Sequence, residues 1–159
     1  MKLATKIGTK ALLLVSALLV SVPVAAKAEN YENLRLLRVF DGNFVQVEFE
    51  NKENMTVRLA CVDIPPLSSE GRWGTRASTR MSSLLPMGTT PSVNTFTQNN
   101  EGELVAEVFN DEGLNVGLEM IKSGYATTDR LEDCPAAELY QQAEFEAKEN
   151  RRGMWRASR

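Results

Sequence analysis

Apolar periodicity switches three times in this chain, from strand to helix, back to strand and to helix again, and that order decides its fold class. Between Leu34 and Val62 the spacing suits strands. Leu34-Arg-Leu-Leu-Arg-Val-Phe40 runs into the turn pair Asp41-Gly42, and Phe44-Val-Gln-Val-Glu-Phe49 alternates apolar and polar residues. Asn51-Lys-Glu-Asn54 then precedes the apolar run Met55-Thr-Val-Arg-Leu-Ala-Cys-Val62, which Pro65-Pro66 ends. This pattern predicts a three-stranded antiparallel meander. From 71 to 85 the period becomes helical, with Trp73, Ala77, Met81, Leu84 and Leu85 on one face and Pro86 as the stop. Segments 91–98 and 103–109 read as two further strands. Leu114, Leu118 and Ile121 mark a short helix capped by Gly124, and Pro135 suits the first turn of a last helix. On that helix Leu139, Ala143 and Ala147 are expected to share the buried face, with Gly153 as its end and Trp155 packing back. The order is α+β, and a five-stranded OB-fold β-barrel with three helices fits it.

The barrel pattern starts only after residue 28. Before it, Lys2, Lys6 and Lys10 precede the apolar stretch 11–22, and Ala26-Lys-Ala28 has the form of a cleavage site. Residues 1–28 are therefore expected to be a secretory signal peptide, the alternative being an uncleaved anchor. Residues 29–159 then form a single domain with no membrane attachment after cleavage. Removing the four lysines of the signal takes the basic count from 18 to 14 against 21 acidic residues, a net charge of −7. At long range such a domain repels a polyanion, so nucleic acid is disfavoured as a partner. The chain has no histidine, which excludes histidine general bases, Ser-His and Cys-His nucleophile pairs and histidine zinc sites. Cys61 and Cys134 permit one intramolecular pairing, and in an exported chain a disulfide is expected ahead of two buried free thiols.

Seven short motifs, in order along residues 33–155, resemble the thermonuclease (staphylococcal nuclease-like) domain. They are Asp41-Gly-Asn-Phe44, Arg58-Leu-Ala-Cys-Val-Asp-Ile-Pro-Pro66, Gly74-Thr-Arg-Ala77, Gly102-Glu103, Leu114-Asn-Val-Gly-Leu118, Gly124-Tyr-Ala126 and Gly153-Met-Trp155. The resemblance implies the OB-type barrel and a calcium-dependent phosphodiesterase site. In that family two aspartates hold calcium, a glutamate positions the attacking water, and two arginines clamp the phosphate. A hard cation needs oxygen ligands, and the transition-state phosphate needs positive charge around it.

Carried over position by position, the resemblance implies that Arg58 and Asp63 are retained as phosphate clamp and metal ligand. The first metal aspartate is Asn43, the glutamate is Pro66 and the second arginine is Glu103. A tyrosine common before that arginine loop is Glu101, and Phe44 stands where the family has threonine. A carboxylate about 5 Å from a phosphate is unfavourable by about 3 kcal/mol at an effective dielectric near 20. Glu70 lies beyond Pro66 and suits the first turn of a helix better than a substitute base. The competing reading of Arg58 and Asp63 is a plain ion pair at the barrel mouth. Trp73, Tyr125 and Trp155 read as packing residues, and Arg151, Arg152, Arg156 and Arg159 as complements to a helix C-terminus.

These departures lead to the expectation of an exported thermonuclease-like protein without catalytic activity, acting on another protein as an interaction or scaffold module. It would need no cofactor. One alternative is a weak calcium-dependent nuclease acting on DNA or RNA, and calcium enters only there. A second is a nucleic-acid-binding module without catalysis. The compartment implied by export is the periplasm, the extracellular space or a thylakoid lumen.

Overall fold

The computed structural model describes residues 29–40, 43–66, 72–98 and 102–156. The expected signal segment, the Asp41-Gly42 turn, Glu70, Glu101 and Arg159 lie outside them. The strands are β1 (Glu29–Tyr31), β2 (Arg35–Val39), β3 (Phe44–Glu48), β4 (Asn54–Leu59), β5 (Val62–Asp63), β6 (Ser92–Gln98), β7 (Leu104–Phe109) and β8 (Thr127–Thr128). The helices are α1 (Trp73–Leu84), α2 (Val116–Lys122) and α3 (Ala137–Glu149), with 3₁₀ turns at Leu131–Asp133 and Gly153–Trp155.

The architecture is α+β, as the periodicity implies, with a sheet more open than a five-stranded barrel. Six strands run in the order β1-β6-β7-β4-β3-β2, all neighbours antiparallel except β4 and β7. The two edges, β1 and β2, do not form a ladder together. Instead Leu34 N–H donates to Pro91 O at 3.3 Å and Leu36 N–H to Thr89 O at 3.4 Å, tying the β2 edge to the approach to β6. Register shifts between Leu36 and Arg38 and between Thr95 and Thr97 accompany the curl.

The third strand of the meander stops earlier than its apolar run. β4 ends at Leu59 because Cys61 takes a left-handed backbone conformation (φ 66°), and the chain resumes as β5 paired with β8. The turn brings Cys61 to Cys134, with which it forms a disulfide at a Cα–Cα distance of 5.7 Å. It also lets the Cys61 carbonyl accept from Asp129 N–H at 3.0 Å.

The core joins Val45, Val47, Val57 and Leu59 of the sheet to Ala77 and Met81 of α1 and to Val116, Met120 and Ile121 of α2. Burying each such large side chain contributes about 1.5–3 kcal/mol. On α3 the buried face is Tyr140, Ala143 and Ala147, whereas Leu139 is 61% exposed. That corrects the expected stripe. Positions 139 and 140 both lie within one turn of Ala143, and the larger ring of Tyr140 takes the core. Its hydroxyl donates to Glu107 at 2.8 Å, and Asn115 donates to both Glu107 and the Tyr140 oxygen at 2.9 Å. Burial, the Glu107 charge and the bond to it push the ionisation of Tyr140 upward, against an opposing effect of Asn115. Asn115 also caps α2, accepting from Leu118 N–H at 3.1 Å. One polar cluster thus pins α2, α3 and β7 together.

The chain's last turn closes on α2. Gly124 (φ 75°) and Gly153 (φ 49°) approach so closely that a Cβ on either would collide with backbone of the other's segment. Met154 N–H donates to Gly124 O at 2.8 Å, and an Arg152 guanidinium N–H donates to Lys122 O at 3.1 Å at the C-terminus of α2. Arg152 thus serves a helix end, that of α2.

Candidate functional site

Asn43 directly precedes β3 and is buried. Its side-chain N–H donates to Val62 O at 3.1 Å, and its own carbonyl accepts from Leu59 N–H at 2.8 Å. Asn43 therefore stitches the start of β3 to the entry of β5. A carboxylate there would face the Val62 carbonyl with no proton to offer. Asp63, the second residue of β5, is exposed and pairs through its backbone with Thr127. Pro66 is also exposed, three residues further on, and its side chain supplies neither charge nor oxygen. Glu103 is half-buried and directly precedes Leu104, which pairs with Val57 in the parallel β4/β7 ladder.

Arg58 lies on β4 opposite Phe44 of β3 and Val105 of β7. Its guanidinium donates to Asp129 Oδ2 at 2.9 Å, the side chains being 19% and 34% exposed. The ion pair expected for Arg58 therefore exists, but its carboxylate is Asp129 and not Asp63. β5 is only two residues long, and its pairing with β8 carries the chain directly to Asp129. Arg130 Nε is 3.8 Å from the same Asp129 oxygen. One carboxylate thus serves two guanidiniums.

A cleft of about 390 Å³ opens beside this pair. Arg58, Asp129, Arg130 and Asp133 line it with Phe96 and Thr97. Of the positions singled out in the sequence as site residues, only Arg58 and Cys61 line the cleft, and Asn43, Asp63, Pro66 and Glu103 do not. Asp129, Arg130 and Asp133 were missed. The signal that points to them is the disulfide: residues flanking Cys134 must come close to those flanking Cys61, and hence to Arg58.

The family positions Asn43, Asp63 and Pro66 offer a hard cation few charged oxygen ligands. Among the described residues no group of three or more Asp, Glu, Cys or His side chains is arranged to hold a metal ion. Asn43 uses its amide as a donor to Val62, and Asp63 is the sole carboxylate left at the three family positions considered. The cleft balances two guanidiniums against two carboxylates, which fits a polar contact surface better than a strongly cationic phosphate clamp.

Comparison with known proteins agrees with the motifs. The family model described as "Staphylococcal nuclease homologue" matches residues 56–157. The chain is 29% identical over 123 residues to a protein of Escherichia coli O157:H7 named "Uncharacterized endonuclease", covering 76% of this chain and 75% of that protein, and an Escherichia coli protein of the same name matches equally. It is also 29% identical over 147 residues to Endonuclease YhcR of Bacillus subtilis (strain 168), covering 84% of this chain but 12% of YhcR. The chain belongs to the staphylococcal nuclease homologue family.

Proposed function

We propose that this protein is a staphylococcal nuclease-like domain that has lost calcium-dependent phosphodiester hydrolysis and acts as an exported protein-interaction or scaffold module. The observation that carries the reading is the hydrogen bond from the Asn43 amide to the Val62 carbonyl. A side chain committed to donating there is a poor substitute for a charged metal ligand. Losing a positioned general base costs about 10²–10⁴ in rate, and losing a charge-stabilising donor a further 10²–10³ or so. Pro66 and Glu103 bear on these two effects, and Arg58 is already neutralised by Asp129. The disulfide suits an oxidising compartment, whether periplasm, extracellular space or thylakoid lumen.

The endonuclease names of the relatives favour a second reading, a weak calcium-dependent nuclease. Protein recovered from an exporting host and incubated with single-stranded DNA and calcium separates the two. No calcium-stimulated cleavage above background is expected. Robust cleavage, abolished by Asp63→Ala, would sink the first reading and establish the second.

A further inference from the structure

From Gly71 to Asn100 the chain holds no acidic residue, although acids outnumber bases over residues 29–159. The three charges in that stretch are Arg72, Arg76 and Arg80, spaced four apart. On α1 this spacing places them in one row, about 6 Å of helix rise between neighbours. The buried face of the helix, Gly74, Ala77, Met81 and Leu84, lies on the other side. Arg72 and Arg76 are exposed and Arg80 is half-buried. None of the three has a carboxylate partner among the described residues.

The stability of α1 does not account for this row. Like charges four apart on a helix repel by a few tenths of a kcal/mol. Arg72 occupies the N-cap, where no side-chain cap bond is made, and a cation at that end opposes the helix dipole. A row that weakens its own helix and meets no carboxylate among the described residues is a surface addressed outward. Beside it, Arg76, Thr79, Arg80, Ser83 and Tyr125 line a depression of about 320 Å³. Trp73 lies near Tyr125, with ring centroids 6.4 Å apart, and the Arg76 guanidinium sits 5.2 Å from the Trp73 ring centre. Guanidiniums and an aromatic hydroxyl thus share one shallow site. Arg80 is held in place by its Nε–H donating to Ser123 Oγ at 3.2 Å, which leaves its terminal nitrogens for a ligand.

We infer that the outer face of α1 docks an acidic protein segment, its carboxylates on Arg72, Arg76 and Arg80 and an apolar side chain against Tyr125. This rests on the protein-interaction reading and names the chemistry of the partner. Charge complementarity selects the class: a guanidinium fork pairs with a carboxylate through two parallel bonds, and carboxylates four apart on a helix match the spacing of the row. A long polynucleotide matches the row equally well but must extend past it, over a domain with net charge −7. A segment as long as the row, about 12 Å of helix between Arg72 and Arg80, avoids that cost.

The test uses protein recovered from an exporting host and a labelled helical peptide with glutamates four residues apart and one leucine. Two comparison probes are its glutamine counterpart and an oligothymidylate of equal charge. Fluorescence anisotropy is expected to show binding of the acidic peptide that weakens with salt, no binding of the glutamine peptide, and weaker binding of the oligonucleotide. Replacing Arg72, Arg76 and Arg80 by Gln is expected to weaken the peptide about tenfold or more. Arg72→Gln with Arg76→Gln spares the Arg80–Ser123 bond and guards against misfolding. The same charge removed at Arg35, Arg38 and Lys52 is expected to change binding less than about twofold. Peptide binding indifferent to the row, tighter oligonucleotide binding, or no peptide binding at all overturns the inference. None of these outcomes bears on cleavage, so the nuclease assay still decides the reading beneath it.

Discussion

Arg58 at the mouth of the sheet and the arginines of α1 carry the same group and are treated in opposite ways. Arg58 is mostly buried, bonded at 2.9 Å to Asp129, whose carboxylate also faces Arg130. Arg72, Arg76 and Arg80 stand in a row with no carboxylate partner among the described residues. At the mouth, charge is cancelled inside the fold and a disulfide clamps the strands that cancel it. On α1, charge is left uncancelled at some expense to the helix. Arg58, which the family resemblance casts as a phosphate clamp, is paired within the fold, and the arginines without a carboxylate partner among the described residues lie on α1.

Four changes break or sharpen that contrast. The largest effect is expected from Cys61→Ser with Cys134→Ser, which opens the clamp. Closing a loop of 73 residues stabilises by about 4 kcal/mol on the chain-entropy model, so the urea midpoint should fall by that equivalent. Next is Asp129→Ala, which strands the Arg58 guanidinium. A loss of about 1–3 kcal/mol is expected in equilibrium unfolding, with Asp129→Asn recovering part of it by keeping an acceptor oxygen. If Asp129→Ala is neutral, the mouth is not an internally cancelled site and the contrast collapses.

Asn43→Asp sets a carboxylate against the Val62 carbonyl and is expected to cost about 1–2 kcal/mol near neutral pH. Only its protonated form donates to that carbonyl, so folding raises the pKa of the new carboxyl. The penalty should therefore be absent below the unfolded value of about 3.9 and emerge as pH rises, a dependence that unfolding curves at several pH values reveal. This variant alone should not gain nuclease activity. The smallest effect runs the other way. Arg72→Asp supplies a capping acceptor and a charge that suits the dipole, and should stabilise by about 0.5–1 kcal/mol. A destabilised Arg72→Asp would mean that the row serves the fold.

The elements readable in the sequence were those whose local pattern and tertiary role agree. α1 emerges from residues Trp73, Ala77, Met81 and Leu84, of which the last three are buried, and β3 emerges from the alternation of Phe44–Phe49. β1 was missed because Glu29-Asn-Tyr31 is a polar, three-residue edge strand defined only by its pairing with β6. The early end of β4 was missed because Ala60 and Cys61 are apolar, while the turn is dictated by a cysteine 73 residues away. The site shows the same division. Asn43, Asp63, Pro66 and Glu103 follow from motif position, but the use of Asn43 as a donor and of Asp129 as the partner of Arg58 depends on two loops meeting in space. Local residue spacing does not encode that meeting, and the one long-range signal for it is the pairing of Cys61 with Cys134.

The contact between Gly124 and Gly153 adds a constraint of timing. During synthesis Gly124 leaves the ribosome before Gly153, yet the C-terminal end of α2 is sealed only when the later glycine reaches it and Met154 bonds to its carbonyl. Until then the carbonyl of Gly124 and the flank of α2 remain open to water, to a chaperone or to a protease. Bulk at either glycine would keep them so. The sealing of this helix end is thus a docking between two positions without side chains, and its fidelity depends on what both residues lack.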